Sequence, residues 1–192
     1  MRAAVLLLAV LLAVPAALSA AEPKPKADEM VNNPPYAHWS AFKPGTSVTQ
    51  REVVTLGNGT KLEQKITTKL IKREKDKVVV ETTMTGDALA NGKLVESTKT
   101  ITSFPAKVKM SDVDTSNDAS MTVTEGTEDV DVKGKKVSTE WVEAVSKNGD
   151  WVVAQKEWTA RDVPGGLIKR TITQKRGDTV VSDSVLELVE YK

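Results

Sequence analysis

The sequence predicts an all-β, mainly antiparallel protein: one curved meander sheet of about nine strands, forming a half-barrel or a sandwich, with at most short helices. Three observations carry this. Valine and threonine together make up about a quarter of the chain, as suits residues that fit a pleated surface. Turn signals recur roughly every 15 residues, and Asn-Gly, which tolerates hairpin turns, stands at Asn58-Gly59, Asn91-Gly92 and Asn148-Gly149. Between the turns, apolar and polar residues alternate with period two.

The chain opens with residues 1–21, MRAAVLLLAVLLAVPAALSAA: one Arg, an unbroken apolar run, then small residues after Pro15. This is the layout of a secretory leader cut after Ala20 or Ala21, and it predicts an exported protein, periplasmic or extracellular. The run is nearly long enough to anchor in a bilayer, but Pro15 and the small residues at the cut favour removal, leaving no membrane span. Residues 22–35, rich in Pro, Lys and acidic side chains, bury too little apolar surface to offset their ordering entropy and read as a flexible tether. A single antiparallel β domain is expected over 36–192. With no cysteine, it must be stable without disulfides.

Strands are expected at 46–55, 61–73, 77–85, 93–103, 127–133, 136–146, 150–161, 166–175 and 179–190, with short helices near 35–42 and 86–90. In the second strand Leu62, Ile66 and Leu70 share one face, and Glu63, Lys65, Thr67 and Lys69 the other. If Asn58-Gly59 is a two-residue loop, Glu52 pairs with Lys65 on the wet face. The same arithmetic at Asn148-Gly149 sets Val145 opposite Val152, Trp141 opposite Lys156 and Thr139 opposite Trp158. Trp141 and Trp158 then become diagonal neighbours on one face, with Trp151 on the other. Trp141, Trp158, Val145 and Val152 are therefore either core or the lining of an apolar ligand cavity. Val78, Val79 and Val80 are apolar on both parities, as are the valines and leucines of the last strand, so both faces need cover. Segment 109–130 interrupts the pattern, and the register around Gly177 is open.

The glycine pair in DVPGGLIKR (162–170) is a turn. Pro164 presets φ for the second position and Gly165 supplies the positive φ of the third, the type II signature. A dinucleotide fingerprint or a P-loop needs spacings that are missing.

The chemistry that remains is thin. Lys+Arg number 27 against 26 Asp+Glu, and loss of Arg2 with the leader brings the balance near zero. No basic patch exists for nucleic acid or an acidic membrane surface. An EF-hand register over Asp114, Ser116, Asp118, Thr122 and Glu125 has Ala119 where the loop needs Gly, so no calcium site is expected. One histidine, His38, and no cysteine cannot assemble a zinc site. Ser40 and Lys43 match S-x-x-K without its partner motifs, no G-x-S-x-G elbow is present, and the acidic residues form no distinctive pair. No catalytic residue, no metal and no cofactor is expected: the protein reads as not an enzyme.

The segments AHWSAFKPGTSV, EDVDVKGKKVSTEWVEA, KEWTARDVPGGLIKRTITQ and VSDSVLELVEY resemble, in their order, small exported bacterial proteins of unknown function that are distantly similar to the LolA/LolB-like lipoprotein-carrier fold. The resemblance implies a curved antiparallel sheet around an apolar cavity. It carries over no individual residue, and those carriers plug the cavity with helices of which few are legible here. Two functions are expected: a non-catalytic exported protein binding an apolar or lipid-like ligand on a concave sheet, or a cell-envelope protein–protein interaction module.

Overall fold

The computed structural model describes residues 28–87, 94–112 and 121–192. Two sheets are present in these segments. Strands β2 (Ser47–Leu56), β3 (Lys61–Arg73), β4 (Lys77–Asp87), β5 (Leu94–Pro105), β7 (Met121–Val132), β8 (Lys135–Asn148), β9 (Trp151–Thr159), β10 (Leu167–Arg176) and β11 (Thr179–Tyr191) form an open nine-stranded sheet. Its order is β5-β4-β3-β2-β11-β10-β9-β8-β7, with every pairing antiparallel. Two meanders thus meet at a central seam between β2 and β11. A small second sheet pairs β1 (Met30–Asn32) with β6 (Lys107–Lys109).

The fold class stands as expected, and each predicted strand has its counterpart. Two boundaries move. The expected tether of 22–35 ends earlier, because Met30–Asn32 is a strand and Asn33 is buried, its side-chain amide donating to the Pro105 carbonyl at 2.7 Å. Strand β7 begins at Met121, inside the segment read as an interruption. It is an edge strand with most of its side chains exposed, so it lacks the apolar alternation that marks a half-buried strand. Of the short helix expected at 86–90, Gly86 and Asp87 are strand; the rest, like Asn91-Gly92 and most of the calcium register, lies outside the described residues.

Turn chemistry sets the registers, and two differ from expectation. At the first hairpin Leu56 and Thr60 close a three-residue loop, Gly57-Asn58-Gly59, with Gly59 at φ 83°. An odd loop slips the pairing by one, so Glu52 faces Gln64 and not Lys65. At the other, Gly149 takes φ 57° as the first residue of a Gly149-Asp150 loop, as a type II′ turn requires. Trp141 therefore stands directly opposite Trp158, and Val145 opposite Ala154. The open register at Gly177 resolves the same way, with Arg176 facing Thr179 and a bulge beyond Gln174.

One sheet face is covered. Register places Val48, Leu70, Val80, Phe104 and Leu188 on it. Leu70 and Val78 are fully enclosed and Ile168 is 1% exposed. Each such side chain contributes about 1.5–3 kcal/mol. The cover is α1 (Pro34–Ser40), which starts on two prolines whose fixed φ suits a first turn and which buries Trp39. Its C-terminus is closed by Arg73, whose guanidinium donates to the Ser40 and Phe42 carbonyls at 3.2 and 3.1 Å. The sheet curls toward this helix: Phe104 of β5 and Leu167 of β10 line one small cavity, although five strand spacings, about 24 Å in a flat sheet, separate their strands. Register shifts between Leu70 and Lys72 and between Leu188 and Glu190 are the bulges that bend it.

Candidate functional site

The concave mouth is divided by α1 and by the turn that follows β9. Val163 O accepts from Gly166 N at 2.9 Å, with Pro164 second and Gly165 third at φ 73°, which is the expected type II turn. Gly165 lies against the Trp39 indole, where an added Cβ would come within 2.9 Å of Cζ2. Gly166 lies against the His38 ring. Only glycines let this turn dock so closely on the helix.

On the β2–β5 side of the divide is a cavity of about 210 Å³ lined by Trp39, Val48, Thr68, Val80, Phe104 and Leu167. On the other side a half-open groove of about 1060 Å³ runs between α1 and the ends of β7–β9. Its lining combines Pro34, Ala37, Ala41, Val137, Ala160 and Val163 with the charged Lys136, Glu140, Arg161 and Asp162, and with His38, Thr159 and Tyr191. The first volume is smaller than ordinary ligand sites, which run from about 300 to 1,000 Å³; the second matches the largest of them.

His38 is the histidine that lines the groove. Burial pushes its imidazole below the usual value of 6.5; Glu140 opposes the shift and Arg161 adds to it. The folded state thus disfavours the imidazolium. The unfolded chain takes up its proton first, so this contribution to stability is complete above about pH 6.5 and is lost as pH falls through the lower folded value. Urea unfolding of wild type and His38→Gln from pH 7.5 to 5 should show wild type losing stability faster, and parallel curves would refute this. The Ser40 hydroxyl donates to the Ala37 carbonyl at 3.2 Å as at any helix end, and Lys43 lies just beyond the helix C-terminus.

The register also brings together Trp141, Trp158, Val145 and Val152, expected as core or as cavity lining. Cross-strand partners put the four on one face, as expected, shared with Lys169, Glu187 and Arg51; Trp158 is 8% exposed and belongs to the core cluster that contains Trp39, and Trp141 packs against that cluster. Neither the cavity nor the groove is lined by any of the four. Trp141 lies over Gly126, whose missing side chain makes room for the ring. Lys156 Nζ sits 4.0 Å from the Trp141 ring centre and 4.7 Å from that of Trp158. Glu128 completes the ladder, accepting from the Trp158 indole N–H and from Lys156 at 3.2 Å. Those bonds hold its carboxyl below the usual range. Cation–π contacts contribute about 0.5–1 kcal/mol each where exposed and more where desolvated, and with Trp158 8% exposed these contacts tie β8 to β9.

A polar row that sequence reasoning missed crosses the concave face. The pairings run Val142–Glu157–Arg170–Leu186–Glu52–Gln64. The carboxylate of Glu52 accepts from Gln64 and, at 2.8 Å, from Ser184. Gln155 donates to Glu157 at 2.9 Å. Burial pushes Glu157 above the usual carboxylate range, with Arg170 and then Gln155 opposing. Arg170 stands between the two acids at 3.9 Å from Glu52 and 3.8 Å from Glu157, beyond hydrogen-bond length, and its buried Nε has no partner.

No family model matches the chain, and no curated protein does. Among solved structures it is similar to a Bacteroides fragilis NCTC 9343 protein inferred to be exported and to have a YmcC-like fold, at 13% identity and a TM-score of 0.43, over 78% of this chain and 96% of that one. The likeness to lipoprotein carriers therefore rests on sequence motifs alone. Among the described residues no group of three or more His, Cys, Asp or Glu can hold a metal ion, and no helix is long and apolar enough to cross a membrane.

Proposed function

We propose that this is an exported, non-catalytic binding protein that holds an apolar or lipid-like ligand on its concave sheet, in the groove between α1 and β7–β9. The observation that carries the reading is the groove itself: about 1060 Å³, with Ala37, Ala41, Val137, Ala160 and Val163 supplying apolar wall and Lys136, Glu140, Arg161 and Asp162 a charged margin. Such a lining suits a molecule with an apolar stem and a polar end. Export rests on the leader-like residues 1–21. The ligand contacts are assigned to the groove and not to Trp141, Trp158, Val145 and Val152.

Native mass spectrometry of the protein taken from its own cell envelope tests this. A retained lipid-sized mass is expected, and Ala37→Trp, which fills the groove from α1, should abolish it while leaving the fold intact. A clean apo mass with a co-purifying polypeptide would instead favour the interaction module. That second reading draws on the unpaired margins of the sheet, where Ile101 of β5 is 63% exposed and Val123 of β7 is 50% exposed.

A further inference from the structure

We propose that Arg170 is a second ligand contact, which takes a neutral hydrogen-bond acceptor, an ester or amide carbonyl or a hydroxyl, on the polar end of an amphiphile whose stem lies in the groove. The inference rests on the groove reading and adds the chemical class of the head.

Position comes first. Thr159 lines the groove. Glu157, two residues along the same strand and on the same face, lies about 7 Å farther along the sheet, and Arg170 is its cross-strand partner. The polar row is therefore the next surface met beyond the groove.

Satisfaction comes second. Glu52 is occupied by Gln64 and Ser184, and Glu157 by Gln155. Arg170 is not matched in this way: its guanidinium lies 3.8 and 3.9 Å from the carboxylates, and its enclosed Nε–H meets no acceptor. Buried donors are almost always paired, so an orphan of this kind marks a place for an acceptor that the chain does not provide.

Charge selects the class. Two carboxylates flank one guanidinium, so the surroundings are already neutral or negative, and a carboxylate or phosphate head would be repelled. A neutral carbonyl or hydroxyl accepts from Arg170 without that penalty.

The probes are 1-monolauroylglycerol, with a neutral ester head, and laurate, with the same chain and an anionic head. Calorimetric titration at pH 8 should show wild type binding the monoacylglycerol at least tenfold more tightly than laurate. Arg170→Met should weaken monoacylglycerol binding about tenfold and erase the preference, with Arg170→Lys intermediate. On the unaltered protein, the ester carbonyl stretch of bound monoacylglycerol should shift to lower frequency as it accepts from the guanidinium. An unshifted carbonyl, a preference for laurate, or a correctly folded Arg170→Met that binds as wild type does would overturn the proposal and leave water as the partner of Nε. If Ala37→Trp abolishes binding while Arg170 variants are indifferent, this inference alone fails. If wild type binds neither probe, the groove reading falls with it.

Discussion

Leu70→Ala should lower the unfolding free energy by about 3–5 kcal/mol, read from urea denaturation with an unchanged slope. Leu70 has no solvent exposure, faces Val80, and lies in the cluster with Trp39, Val48, Val78 and Leu188. A curled sheet held by its own backbone ladder cannot collapse into the space a missing isobutyl group leaves, so the cavity term adds to the lost transfer energy. The neighbouring position is the control. Ile71 sits at the bulge and is 39% exposed, so Ile71→Ala should cost less than about 1 kcal/mol. Similar losses at 70 and 71 would mean that the bulge does not orient the strand as described.

Gly166→Ala should cost about 2–5 kcal/mol, from two separable sources. The residue holds φ 77°, which an L side chain adopts at a cost of about 1–2 kcal/mol. Its new methyl would also collide with the His38 imidazole, and such overpacking costs about 1–3 kcal/mol. A double-mutant cycle with His38→Ala separates them: the collision disappears in the double variant and the backbone cost stays. A cycle additive to within about 0.5 kcal/mol would show that the turn does not press on the ring. In the single variant, ligand binding in the groove should weaken too, since the turn and α1 share its wall.

The strands are legible because their physics is local. Alternation in Leu62–Leu70 or Trp151–Thr159 is a property of adjacent residues, and Pro164-Gly165 carries its turn type in two side chains. Register is less local. Asn58-Gly59 and Asn148-Gly149 both contain a hairpin dipeptide, yet the loops form around Gly59 as a third residue and around Gly149 as a first. The glycine at 57, beside Asn58-Gly59, is the signal that favours the longer loop. A slip of two at the second hairpin kept the tryptophans on one face. A slip of one at the first moved Glu52 from the wet face to the concave one, where its side chain is 12% exposed. The polar row was hidden by that single residue. Where the groove opens depends on how α1 docks against the ends of β7–β9, and no periodicity encodes that.

Because β11 lies between β2 and β10, the Ser184 hydroxyl meets a carboxylate 132 positions earlier in the chain. A growing polypeptide therefore cannot zip its midline until Thr179–Tyr191 has left the ribosome. Until then β2 has no partner on its seam side, an unpaired strand edge of the kind that invites non-native pairing.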